Sequence, residues 1–496
     1  MSNTERISLK EKIGYSLGDV AANLIFQTLM TFLAFFYTDV YKIPPSSASA
    51  IIFAGGMVGA LFTPVMGIIA DRTKTRWGKF RPWILWTAVP FGIIAILTFS
   101  TPDFSTEGKI AYAMITYILL VIVYAANNLP YSALSGVITG NMADRNSISS
   151  FRFTGVMIAQ FVVQVILLPL VFILGDGDRA AGFEIVIGIF AGIGVLFFLI
   201  TFLTTKERIV PSKEQTSSLK QDIKDLAKNK PWIIMLILTT FIFITLALKS
   251  GVYVYYFENY LSQAHLSAFL TDIGFNGLIN NVDRFFENMG AVGFHWPNDA
   301  STSGFSLFNA VGIIMMLGGI AISKSLADKY GKRDVFMVGL IGAMITQFLF
   351  LFLSPYDIGW VYLLQILHGF SYGLTIPLLW AMIADVADYS EWKNNRRATG
   401  IVFSAMTFGL KVGMSLGGAI LAGLLALFGY NEQLTVQPDI AIQGIKLTMS
   451  VFPALTFLVG VVSLFFYEIN KSMEVRIEQD LLARRNKEKA GPPGPA

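Results

Sequence analysis

Lys411 sits inside the apolar run ATGIVFSAMTFGLKVGMSLGGAILAGLL, far from either end. A charge at the centre of a membrane-spanning helix costs about 2.5–3.5 kcal/mol, so each one needs a partner, a wet cavity or a task. Lys249, in FITLALKSGVYVYYF, lies similarly deep. Arg152 enters its run by only a few residues, where its long stem can snorkel to the headgroups. Asp19 stands near the start of the first run, with Asn23 one turn later on the same helical face. Asn127 and Asn128 precede Leu-Pro-Tyr, and Pro130 frees a backbone carbonyl that can line a cavity. His368 in LLQILHGFSYG has the chemistry to carry a proton, although such a histidine is more often a hydrogen-bonded packing residue. Asp385, Asp388 and Glu391, close to Lys393, Arg396 and Arg397, read as a solvated cluster or as salt bridges that form and break.

The elements that carry these residues are apolar runs. Of 496 residues 54% are hydrophobic and 14% charged, against about 25% charged in soluble chains, so the chain reads as a polytopic helical membrane protein. Cys is absent and His occurs three times, which leaves no Cys-ligated zinc, no thiol nucleophile and too few histidines for HExxH chemistry. No P-loop and no nucleophile–base constellation argues for an enzyme, no cofactor is expected, and a net charge of +4 argues against a nucleic-acid partner. Helix-length runs lie near 13–37, 47–70, 83–100, 109–139, 149–174 and 181–203, then near 232–257, 304–323, 334–353, 359–384, 398–428 and 445–467. The expected fold is therefore all-α: an N-terminal six-helix bundle at 1–204, a linker at 205–231, a C-terminal bundle at 232–470 and a tail at 471–496. In the linker Leu219, Ile223 and Leu226 recur at helical spacing, which predicts a short amphipathic helix on the membrane face. Arg72, Lys74, Arg76, Lys79 and Arg81 follow the second run, and Lys329, Lys332 and Arg333 follow the eighth. Such asymmetry predicts both termini in the cytoplasm and a multi-pass inner-membrane protein. DRTKTRWGKFRP after the second run is echoed by DKYGKRDVF after the eighth, as two parallel repeats would give. One long outer insertion, about 258–304, predicts one or two short helices that cap the rim.

Together these residues resemble the glycoside-pentoside-hexuronide:cation symporters of the major facilitator superfamily, over nearly the whole chain. The resemblance rests on Gly14-Tyr15…Gly18-Asp19 with Asn23, Tyr37-Thr38-Asp39, Asp71-Arg72…Arg76-Trp77-Gly78-Lys79-Phe80-Arg81-Pro82-Trp83, and Asn128…Pro130-Tyr131. It continues in Arg152-Phe153, Asn229-Lys230-Pro231-Trp232, Tyr255-Tyr256-Phe257, Asp385…Asp388-Tyr389…Glu391-Trp392-Lys393, and Lys411. It implies the major facilitator fold of twelve helices and no enzymatic activity. It also implies secondary transport of a sugar held between the halves by Asn23, Asn128, Tyr131, Arg152 and Lys411, to which Lys249 is added here. An inner gate would join Arg145 and Arg397 with Asp385 and Asp388. The positions matching the family's cation site are Gly59, Thr63 and Ala125, and the second run holds no acid between Ile51 and Ala70, so the family's sodium site reads as lost.

A cavity that keeps Arg152, Lys411 and Lys249 while losing carboxylates favours an anionic cargo: a hexuronide, an acidic oligosaccharide or a sulfonated sugar. Asp19 is the expected coupling site, binding a proton. The chain is expected to act as a monomer in the lipid bilayer. Three other readings stay open: a neutral-glycoside symporter, a lysolipid transporter of similar fold, and a non-transporting sensor.

Overall fold

The computed structural model describes residues 7–139, 141–208, 228–288, 295–394 and 399–490. The expected linker helix around Leu219 to Leu226, Arg396, Arg397 and the final GPPGPA lie outside them. Among the described residues twelve helices are long and apolar enough to cross a membrane. The first six are α1 (Leu9–Phe35), α2 (Pro45–Arg72), α3 (Arg81–Thr98), α4 (Thr106–Ile138), α5 (Met142–Phe161, continued to Leu174) and α6 (Arg179–Thr204). The second half begins with α7 (Lys230–Tyr255), followed by the short α8 (Gln263–Asp272) and α9 (Phe275–Asn288). It then has α10 (Ala300–Tyr330), α11 (Lys332–Leu349), α12 (Ile358–Asn394), α13 (Thr399–Leu427) and α14 (Asp439–Phe465). A last helix, α15 (Lys471–Ala490), is polar.

Helix starts follow local chemistry. Ser8, Asp178, Asn229 and Asp299 each accept a hydrogen bond from a backbone N–H of the first turn. Elsewhere the helices are held by burial on one side and lipid on the other, where Leu61, Ile68, Ile93, Ile115 and Ile158 are exposed.

The two halves pair their helices alike. In the first, α1 packs on α5 and α6, α2 on α4, and α3 on α4 and α6; in the second, α7 packs on α13 and α14, α10 on α12, and α11 on α12 and α14. That is one pattern used twice, as the repeated loop motif predicts. The motif itself repeats in backbone form, since Gly78 and Gly331 both take positive φ, +111° and +96°. At Gly78 a Cβ would lie 2.4 Å from the Glu207 carboxyl carbon. The Glu207 carboxylate accepts from the N–H groups of Lys79, Phe80 and Arg81, at 2.8, 2.7 and 2.9 Å, and so satisfies the start of α3.

The halves meet along α1–α7, α2–α13 and α5–α10. One end of the molecule carries the basic loops. At the opposite end the seam is closed: Arg179 Nη2 stands 2.8 Å from Glu258 Oε1, Thr38 Oγ1 lies 2.7 Å from the Tyr255 hydroxyl, and Ser49 Oγ donates to the Ala419 carbonyl at 2.7 Å. Tyr430 donates to Asp39 across the same seam. Asp39 and Glu258 lie in π turns, Phe36–Val40 and Tyr256–Tyr260, that end the first helix of each half.

At the basic end the named pairs stay within a half: Lys12–Asp144, Arg208–Glu11 and Lys79–Asp71 in the first, Lys332–Asp385 and Lys332–Glu474 in the second. Of the expected inner gate, Arg397 lies outside the described residues. Arg145 donates to the carbonyls of Thr139 and Gly136 in its own half, and Asp385 is held by Lys332 at 2.7 Å. Asp388 lines one cleft with Lys332, Asp385 and, from α15, Glu474 and Glu478. α15 lies back on the end of α12, with Trp392 Nε1 donating to Asp480.

The insertion forms two short helices, as expected, although Glu258 belongs to the π turn and the insertion begins after Tyr260. Leu266 and Leu270 of α8 are buried, and Phe269 stacks on Tyr362. No residue of α9 is buried.

Candidate functional site

Three polar clusters stand in the apolar interior, and they are separate. The first is built on Arg152. Its Nε stands 2.6 Å from Asp19 Oδ2, and its guanidinium lies over the rings of Tyr15 and Tyr131. The two rings stack at 4.6 Å, and each hydroxyl donates to the other residue's carbonyl, at 2.8 and 2.7 Å. Gly18 permits this, because a Cβ there would meet the Tyr131 ring at 2.5 Å. The snorkelling expected of Arg152 is therefore corrected: the side chain turns inward, where a buried carboxylate and two aromatic faces receive the charge. Asn23 Nδ2 donates to the Asp19 carbonyl on its own helix. Asn127 Nδ2 donates to Thr87 Oγ1 within the first half. Asn128 is half-buried.

The second cluster is a cavity of about 100 Å³ between the halves, bounded by α1, α2, α4, α7 and α13. Its wall is apolar, with Phe26, Leu29, Met30 and Met414 among its residues, and Lys411 is its one charged group. The ammonium donates to Thr63 Oγ1 of α2 at 2.5 Å, so a lysine of one half is seated on a hydroxyl of the other. Gly59, another matched position, accepts from Thr63 through its carbonyl. Among the described residues no carboxylate forms an ion pair with Lys411.

The third cluster corrects the place given to Lys249. It does not join Lys411 or Arg152 but faces a small cavity on the far side of the α1–α7 contact, between α5, α7, α10 and α12. Its Nζ lies 2.6 Å from His368 Nε2 and 4.8 Å from the centre of the Tyr372 ring. His368 Nδ1 lies 3.1 Å from the Ala343 carbonyl, which only accepts, so Nδ1 carries a hydrogen and Nε2 is the atom that faces the lysine. Sequence reasoning missed the amides of this cavity, although Gln160 and Gln164 stand at i, i+4 in an apolar run and were there to be noticed.

Comparison with known proteins decides what kind of molecule this is. The family model described as MFS/sugar transport protein matches residues 14–279 and 299–471. The chain belongs to this family. The stretch that the match leaves out, 280–298, includes residues 280–288 of α9. Among relatives of this MFS protein, the inner membrane symporter YicJ of Escherichia coli (strain K12) is 34% identical over 92% of this chain and 91% of its own length. The putative glycoside/cation symporter YagG of the same organism is 32% identical over 97% of this chain and 96% of its own. The crystal structure of the nucleoside transporter NupG superposes with a TM-score of 0.58 at 15% identity, covering 92% of this chain and 99% of that one, a likeness of fold alone. The MFS protein is accordingly a multi-pass transport protein of the cell membrane and not an enzyme.

Proposed function

We propose that the protein imports a sugar or glycoside by cation-coupled alternating access and that the cargo carries an anionic group. The observation that carries the anionic reading is the Lys411 ammonium in the inter-half cavity, with no carboxylate among the described residues paired to it. A buried, uncompensated cation is costly, and an anionic ligand offsets that cost when it binds. The relatives, a symporter and a glycoside/cation symporter by name, support the sugar and the coupling.

The basic loops are taken as cytoplasmic, which puts both termini there and makes the closed seam the outward one. Importing an anion against a cytoplasm-negative potential is uphill by about 2.3 kcal/mol per charge per 100 mV, so a co-transported cation is needed. Asp19 is its site. With no carboxylate on α2 between Ile51 and Ala70 to gather a hard metal ion, a proton is the cation proposed. Protonating Asp19 removes the partner of Arg152, whose planar fork then turns to the carboxylate of the cargo. Each chain holds both halves and the cavity between them, so a monomer suffices.

The test is uptake into proteoliposomes of two glycosides that differ only at C6, a methyl glucuronide and the matching methyl glucoside. Expected is uptake of the glucuronide, at least tenfold weaker in Lys411→Ala and largely kept in Lys411→Arg. Equal uptake of both sugars, unaffected by Lys411→Ala, would sink the anionic reading. The apolar wall of the same cavity favours one further reading, an amphiphile with a charged head. Competition by lysophosphatidylcholine, with no uptake of either sugar, would select it.

A further inference from the structure

The protein covers only part of the apolar side of α9. Phe275, Leu278, Ile279, Val282, Phe285 and Phe286 recur at i, i+3, i+4, i+7, i+10 and i+11, which gathers them on an arc of about 120° of the helix. Within that arc Phe275, Ile279, Val282 and Phe286 are half-buried. Leu278 and Phe285, seven residues apart on one flank, are 58% and 60% exposed, and Ile273 in the turn before the helix is 50% exposed. The opposite flank is tied down. There Asp283 Oδ1 accepts from the Trp296 N–H at 2.9 Å, and Trp296 Nε1 donates to Ser303 Oγ of α10 at the same distance. The helix is thus held by one edge, with its apolar flank turned away from the tether.

The helix before it is fastened where the lipid-facing surface begins. Ser262 N donates to the Pro355 carbonyl at 3.0 Å, and the rings of His265 and Tyr356 lie 4.9 Å apart, both contacts being with the turn that leads into α12. From that turn Trp360, Leu363 and Leu367 run along α12 as one exposed stripe at i, i+3 and i+7, with Trp360 59% exposed. On a helix that crosses a membrane such a stripe faces lipid, and a tryptophan at its end marks the headgroup level. α9 turns back on α8 at Gly274, where φ is +76°, so it stays beside this end of the bundle. A stable protein partner would need about 800 Å² on each side, more than a flank of two or three side chains supplies.

We infer that α9 is an interfacial helix that binds the lipid surface at the end opposite the basic loops, with Ile273, Leu278 and Phe285 among the acyl chains and Asn280, Arg284 and Glu287 at the headgroups. Its charges specify the lipid. The helix carries Asp283, Arg284 and Glu287, so no basic cluster gathers anionic headgroups, and the partner is the apolar margin of a zwitterionic bilayer. Residues 280–288 fall outside the match to the family model, so the contact belongs to the insertion of this chain. It is independent of which cargo the protein carries. It gives the second half a foot on the membrane surface beside the closed seam.

The experiment labels single cysteines with a nitroxide in the full chain, which has no cysteine of its own, reconstituted in phosphatidylcholine vesicles. Leu278→Cys and Phe285→Cys report on the apolar flank, and Asn280→Cys and Arg284→Cys on the polar side. All four positions are exposed, so the substitutions leave the core intact. Collision of each label with oxygen, which concentrates among acyl chains, is compared with collision with a water-soluble nickel chelate. Expected is an oxygen-to-nickel ratio several-fold higher at 278 and 285 than at 280 and 284, and unchanged by raised salt. Equal ratios at the four positions would put α9 in water and overturn the inference. So would labels at 278 and 285 that neither reagent reaches, the sign of a protein partner or a second copy. A ratio that falls as salt rises would make the attraction one of charge and overturn the zwitterionic surface as partner.

Discussion

Asp19 and Arg152 show why depth along a run is a poor guide to what a charged residue does. Read by depth, Arg152 belongs to the headgroups; its neighbour in space, Asp19, is 133 positions away and on another helix. Asp19→Asn leaves a guanidinium inside the bundle without its counter-charge, which costs about 3 kcal/mol, and Asp19→Asn with Arg152→Met together recovers most of the loss. Thermal unfolding of the four proteins of that cycle measures it; additive losses would show that the pair does not act as a unit. The types at this cluster were legible: Tyr15, Gly18, Asp19, Tyr131 and Arg152 all stood out before their arrangement was known. What was not legible is that the acid neutralises the arginine, which leaves Lys411 as the one uncompensated charge of its cavity. Lys249 was visible for the same reason, but its partner His368 lies 119 positions on, and nothing in either run marks the pairing.

At the scale of elements, α13 has two faces with different duties. Gly409, Gly413 and Gly417, four residues apart, let its backbone close on α7 in the same half, where a Cβ on Gly413 would stand 2.4 Å from the Thr240 carbonyl oxygen. The other face carries Lys411, Ser415 and Gly418 to α2 in the opposite half, where a Cβ on Gly418 meets only the Ile52 side chain, at 3.0 Å. Gly413→Ala should therefore destabilise by about 2 kcal/mol through overpacking against backbone, and Gly418→Ala by less than half of that. Thermal midpoints in detergent would check the ranking, and equal shifts would contradict it. Spans of this kind were legible because twenty apolar residues in a row admit few other structures. The π turns at Phe36–Val40, Val162–Ile166 and Tyr256–Tyr260 were not, because one extra residue in a turn leaves no mark on composition.

Across the whole molecule the seam is unequal. At the end opposite the basic loops, two acids of equivalent π turns are each held by the other half: Asp39 by Tyr430, and Glu258 by Arg179. These are the contacts that must break for the closed end to open. Each contributes on the order of 1 kcal/mol, so Arg179→Met with Tyr430→Phe shifts the balance of the two conformations by roughly tenfold or more. Alkylation of a cysteine introduced at Ser49, which sits in the closed seam, should speed up by that factor. No change in rate would mean that the apolar packing of Phe32 on Phe305 and Phe35 on Tyr255 holds the end shut by itself.

The two short helices of the insertion acquire a use from the way they are attached. α8 is pinned to α10 and α12, in the second half, by Leu266, Leu270 and Phe269. Where the second half turns, the pair turns with it, like the hand of a dial fixed to one plate. The chain has no native cysteine. Two thiols, one on the exposed face of α9 and one on the loop between α3 and α4, would thus be the only two present, and their separation would read each swing of the dial without a label entering any cavity.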